Sequence, residues 1–122
     1  MVTGSPGKKT TGVVGEAAER RALAYLQRQG LTLVQRNYRI ARGPSARGGE
    51  IDLILREPDG TLVFVEVRAR QARGHGGAAA SVTFAKQRSL VYAAQHYLLR
   101  LAAVPPCRFD VVAIDGEALE WL

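Results

Sequence analysis

Two dense apolar runs, EIDLILRE from Glu50 and TLVFVEVRAR from Thr61, stand on either side of Pro58-Asp59-Gly60 and most constrain how this chain can fold. Each has the length and the β-branched or aromatic content of a strand, and the short turn between them predicts a hairpin. Apolar residues fill successive positions in both runs, not every second one. Both faces of the hairpin must therefore be covered, as in a sheet with helices on each side.

The flanking sequence supplies that cover. From Gly15 to Gln29, Ala18, Ala22, Tyr25 and Leu26 recur at helical spacing, and Gly30 ends the helix. Thr83 can cap a second helix running to about Ala102, with Phe84, Leu90, Val91, Ala94, Leu98 and Leu101 as its inner stripe, stopped by Pro105 and Pro106. Leu31 to Ile40 alternates in part and reads as a first strand. RFDVVAID, from Arg108, reads as the last, and ALEWL leaves a further edge strand open. The order is helix, three strands, helix, strand: an α/β fold with a central mixed sheet flanked by helices. Residues 1–11 are too polar to offset the entropy of ordering and are expected to form a mobile basic tail before a single domain over 12–122. ARGPSARGG, from Ala41, and QARGHGGAAAS, from Gln71, read as basic turn-rich loops.

The turn also sets a register. Pro58 and Asp59 suit a type I turn and Gly60 the left-handed residue that closes a G1 bulge, so Glu57 faces Thr61. Counting back sets Asp52 opposite Glu66 and Glu50 opposite Arg68. Carboxylates paired in this way have Cβ atoms roughly 4.5–5.5 Å apart and destabilise the sheet unless something neutralises them. A divalent cation does so: Mg²⁺ is commonly held by one or two carboxylates with waters and phosphate oxygens, and the Val67 carbonyl can add another hard ligand. Such an ion polarises a phosphodiester and activates water, while Arg68, on the same face as Glu66, can stabilise the charge building on the phosphoryl oxygens. Arg68 cannot be the general base, which leaves water activation to the metal, Glu50 or Glu66. The plainer alternative is a Glu50–Arg68 ion pair beside polar strand ends.

Composition narrows the partners. Seventeen Lys and Arg against eleven Asp and Glu give a net charge of +6, which favours polyanions, nucleic acid among them. Cys107 is the one cysteine, expected as a buried thiol beside a strand, and no Cys/His spacing suggests zinc. The start has no apolar signal region and no run spans a bilayer, so no membrane partner is expected and the default compartment is cytoplasmic.

GEIDLI (Gly49–Ile54) and FVEVRAR (Phe64–Arg70) resemble the PD-(D/E)xK core of the restriction-endonuclease-like superfamily. More closely, GEAAERRALAYL, QRNYR, GGEIDLI, FVEVRAR, FAKQRSLVYAAQHYL and RFDVV resemble the YraN-like family of predicted endonucleases, relatives of archaeal Holliday-junction resolvases. The resemblance implies Asp52 and Glu66 as metal ligands, Arg68 where the family normally has lysine, Glu16 on the first helix approaching the site, and Lys86 as a family lysine. Lys86 also lies in a helical first turn, where a phosphate can be held. Arg39, Arg47, Arg70 and Arg73 flank the loops at the metal end of the hairpin, where a phosphate backbone would pass. Asp110 is expected to orient an arginine, and the tyrosines, Phe64 and Phe109 to pack the core.

The expected function is a Mg²⁺- or Mn²⁺-dependent DNA endonuclease acting on branched or otherwise structured DNA in processing or repair. The alternative is a module that keeps the fold, has lost turnover, and binds nucleic acid or protein. A homodimer, as resolvases form, stays open.

Overall fold

The computed structural model describes residues 6–41, 48–70 and 83–122, with side chains from Gly15 onward and without that of Arg70. The elements run α1 (Pro6–Arg28), β1 (Thr32–Ile40), β2 (Gly49–Arg56), β3 (Leu62–Arg70), α2 (Phe84–Leu98), β4 (Cys107–Asp115) and β5 (Ala118–Trp121). This is the expected α/β order, with ALEW forming the further edge strand. The five strands lie in chain order in one sheet; β3 and β4 are parallel, joined across α2, and the other neighbours are antiparallel.

Successive residues of β3 explain why the hairpin is apolar throughout. Val63, Val65 and Val67 pack with Ala18, Ala22 and Leu26 of α1, whereas Leu62 and Phe64 pack with Leu90, Ala93 and Tyr97 of α2. The strand is buried from both sides. Its turn takes the expected form: Gly60 donates to the Glu57 carbonyl at 2.8 Å, Glu57 donates to the Thr61 carbonyl at 2.9 Å, and Gly60 has φ +97°.

Both helices are punctuated as their sequences indicate. Gly30, at φ +102°, donates to the Gln27 carbonyl, and Leu31 donates to that of Leu26. That is a Schellman motif, with Leu31 and Leu26 buried in the same core. The Thr83 hydroxyl accepts from the Lys86 amide at 3.2 Å and caps α2.

Several expectations are corrected. Helix α1 starts at Pro6, so residues 6–11 are helical and not tail; proline is well suited to a first helical turn. Residues 1–5 lie outside the described residues. Helix α2 stops at Leu98, and its buried stripe is Leu90, Ala93, Ala94 and Tyr97, leaving Phe84 and Val91 exposed. Phe109 is 45% exposed although its ring lies 5.6 Å from that of Phe64. Cys107 is exposed at the start of β4. No helix among the described residues is long and apolar enough to cross a membrane.

Gly49 shows why the start of β2 needs glycine. A Cβ there would lie 2.6 Å from the Ser89 carbonyl oxygen and 2.8 Å from the Ala93 nitrogen, so α2 rests directly on the strand. Gly49→Ala is expected to cost about 1–3 kcal/mol in a urea titration by pushing the helix away. Gly15→Ala, which would meet nothing within 4 Å, is expected to gain up to about 1 kcal/mol as a helical substitution.

Candidate metal centre

The site forms where β2 and β3 part. Their pairs run from Arg56↔Leu62 to Leu53↔Val65, the register set by the turn, and the same count sets Asp52 against Glu66. The main-chain ladder does not extend to that pair. Instead Val67 donates its amide to the Asp52 carboxylate at 2.8 Å. A side chain has taken the place of a ladder carbonyl. Beyond this point β2 stays with β1 while β3 stays with β4, which opens a fork in the sheet.

A second distortion lies directly across β1. Arg36 pairs with Leu53 and Tyr38 with Ile51, so Asn37 lies opposite Asp52. Leu53 packs on the α1 side, yet Ile51 and Tyr38 both pack on the α2 side. One residue in each strand is therefore out of alternation. In β1 the cause is visible: Asn37 has φ +52°, a left-handed conformation that asparagine tolerates better than most residues.

Asp52 and Glu66 are 9% and 7% exposed, which is unusual for carboxylates. Burial and the neighbouring Glu50 push Asp52 up, against the Val67 amide and the positive charges of Lys86 and Arg68. Glu66 is pushed up to about 7 by burial and by Asp52. Lys86 of α2 opposes both rises through its charge, and Arg68 does so through its charge and, at Glu66, a hydrogen bond. Arg68 donates to the Glu66 carboxylate at 3.3 Å.

The remaining expected residues divide. Glu50 pairs with Arg39 of β1 at 3.5 Å, on the exposed rim. Glu16 is exposed on α1, and the helix residue whose charge reaches Asp52 is Glu19, one turn further on the same face. Burial, and then Asp52, raise Glu19 above the usual carboxylate range, while Arg36 and a hydrogen bond from Asn37 act against the rise. Sequence reading missed both Glu19 and Asn37. The available signals were the i, i+3 spacing of Glu16 and Glu19, and an asparagine interrupting a strand. Arg47 and Arg73 lie outside the described residues, and of Arg70 only its place on β3 is described.

Asp110 lies away from this centre. It accepts from Arg108 Nε at 3.1 Å and from the Trp121 indole at 2.9 Å, and Arg108 also pairs with Glu57. It is an arginine's partner, as its motif suggested.

The donor set suits a hard divalent cation. Among the described residues no group of three or more His, Cys, Asp or Glu is arranged to hold a metal, so the protein offers two carboxylates. Main-chain N–H and C=O of one strand residue point the same way, so the Val67 carbonyl also faces the fork. Two carboxylates and one carbonyl leave several positions for water or phosphate oxygens, the usual arrangement for Mg²⁺.

Fold and site together define a small mixed-sheet α/β domain with a buried acidic pair set among cationic side chains. The chain belongs to the family described as "Uncharacterised protein family UPF0102", whose profile matches residues 18–114. It is 66% identical over 113 residues to a UPF0102 protein of Methylibium petroleiphilum, covering 93% of each chain. A UPF0102 protein of Acidovorax sp. is 61% identical over 121 residues, covering 99% of this chain and 89% of the relative. One from Cupriavidus taiwanensis is 66% identical over 108 residues, covering 88% and 78%. The YraN-like resemblance thus holds at the level of the family.

The raised carboxylates make a pH prediction for the metal-free protein. Between about 4.5 and about 7 the unfolded chain has released the Glu66 proton and the folded chain still holds it. Stability attributable to Glu66 is therefore present in full below about 4.5 and is lost as pH rises through about 7. With chelator present, Glu66→Gln should flatten that fall in melting temperature; an unchanged profile would contradict the shift.

Proposed function

We propose that this chain is a metal-dependent DNA endonuclease of the restriction-endonuclease-like kind, hydrolysing phosphodiester bonds in DNA processing or repair in the cytoplasm. The observation that carries the reading is the buried Asp52–Glu66 pair in the fork between β2 and β3, backed by Lys86 and Arg68. Burying two facing carboxylates destabilises the fold, and a cation between them would remove that cost. When bound, Mg²⁺ or Mn²⁺ supplies Lewis acidity to the phosphoryl oxygen and a more acidic water.

The chain's own groups supply the rest. Asp52, Glu66 and the Val67 carbonyl would hold the ion, with Asp52 fixed by the Val67 amide so that its second oxygen stays available. Lys86 and Arg68 hold positive charge where negative charge grows on the phosphoryl group. Glu66, or Glu50 on the rim, would accept a proton from the attacking water. Glu19 and Glu50 add negative charge beside Asp52 and strengthen cation binding. Arg39, at 71% side-chain exposure, and Arg47, Arg70 and Arg73 meet the phosphate backbone. The family likeness makes branched DNA the first substrate class to test, and a homodimer the first assembly.

One observation favours the second reading, a binding module without turnover. Arg68 stands where a lysine would be expected and is ion-paired with Glu66, one of the two proposed ligands. The two readings separate in one experiment with branched, single-stranded and duplex DNA, with and without Mg²⁺ or Mn²⁺. The nuclease reading expects cutting that needs metal and falls to background in Asp52→Ala. Binding without cutting, restored to cutting by Arg68→Lys, would support impaired turnover. Cleavage by Asp52→Ala equal to the parent would overturn the assigned site.

A further inference from the structure

Phe84 is 71% exposed at the first position of α2, more than any other aromatic among the described residues. It joins neither core cluster. The Arg88 guanidinium lies 5.3 Å from its ring centroid. This pair borders a groove of about 840 Å³ whose lining also includes Gly48, Lys86, Tyr92 and Gln95. Among the described lining residues two are cationic and none is acidic.

The groove shares Lys86 with the carboxylate centre. Lys86 lines it, and its charge acts on both Asp52 and Glu66. Gly48 lines it and directly precedes β2, four residues before Asp52. A chain lying in the groove therefore runs from an exposed aromatic ring to the ammonium whose charge acts on the buried carboxylates.

We propose that Phe84 and Arg88 form a stacking platform for an unpaired base of the DNA strand that enters the Asp52–Glu66 site. For its ligand the proposal rests on the nuclease reading, and it adds which part of the DNA is held. A solvent-facing phenyl ring offers a flat apolar surface to any base, and a guanidinium braced on it reaches the adjoining phosphate. Duplex DNA keeps its base faces covered, so the platform selects strands with unpaired bases: flaps, junction arms that have opened, or single strands. The two cations, with no acid among the described lining residues, favour a polyanion over a neutral ligand.

The test measures the affinity of the full chain for a single strand, a flapped duplex and a fully paired duplex, each carrying 2-aminopurine, with chelator present so that nothing is cut. Phe84→Ala should weaken binding of the two DNAs with unpaired bases by about tenfold and abolish the fluorescence change on binding. Affinity for the paired duplex should stay the same, and Phe84→Trp should retain both signals. Phe84 is largely solvent-exposed, so an unchanged melting temperature checks that Phe84→Ala still folds. If Phe84→Ala binds unpaired bases as tightly as the parent, or loses affinity for all three DNAs alike, the platform is wrong while the nuclease reading stands. If the parent binds none of the three, both fall.

Discussion

The hydrogen bond from the Val67 amide to the Asp52 carboxylate, 2.8 Å long and buried, is the interaction on which the rest of the site depends. A strand amide inside a sheet has to be satisfied, and here the partner strand offers a side chain in place of a carbonyl. Three consequences follow. The ladder between β2 and β3 ends there, Asp52 is fixed within the fork, and Glu66 comes to lie in a low-dielectric space beside another carboxylate. Asn37 lies opposite Asp52 in β1, where its left-handed backbone takes that strand out of alternation at the same level.

The fork stays open because the sheet is tied elsewhere. At the turn end of the hairpin, Arg108 joins Glu57 to Asp110, and the Trp121 indole brings β5 to the same carboxylate. The α1 helix is fixed to the far end of β4 and β5 by Arg21, which donates to the Gly116 and Glu117 carbonyls. On the other face α2 rests on Gly49, which brings Lys86 to the carboxylates. Acids and cations thus converge on the fork from β1, β2, β3 and both helices. Those charges are costly to bury without each other, which is why a site of this type requires so much of a small fold.

Local chemistry made much of this legible. The Pro58-Asp59-Gly60 turn has few ways to close, so one three-residue loop fixes the register as far as Leu53 and Val65, one pair short of Asp52 and Glu66. Gly30 and Thr83 mark helix ends for equally local reasons. What stayed hidden was nonlocal. Helical spacing says that α2 has an apolar side, but Phe84 and Val91 share their period with each other and not with the Leu90–Tyr97 stripe that meets the sheet. Glu19 outranks Glu16 at the site only because of how α1 lies across the sheet, and the Glu50–Arg39 pair depends on β1 register, which no turn of two or three residues specifies. The extra turns of α1 before Gly15 carry no apolar stripe from which to read them.

The most direct measurement is the anomalous difference density of a crystal soaked in Mn²⁺. A peak is expected in the fork, coordinated at about 2.1 Å by Asp52, Glu66 and the Val67 carbonyl, with the Asp52–Val67 hydrogen bond intact. Absence of a peak at millimolar Mn²⁺, with Glu66 still on Arg68, would contradict this; so would a peak held by other residues.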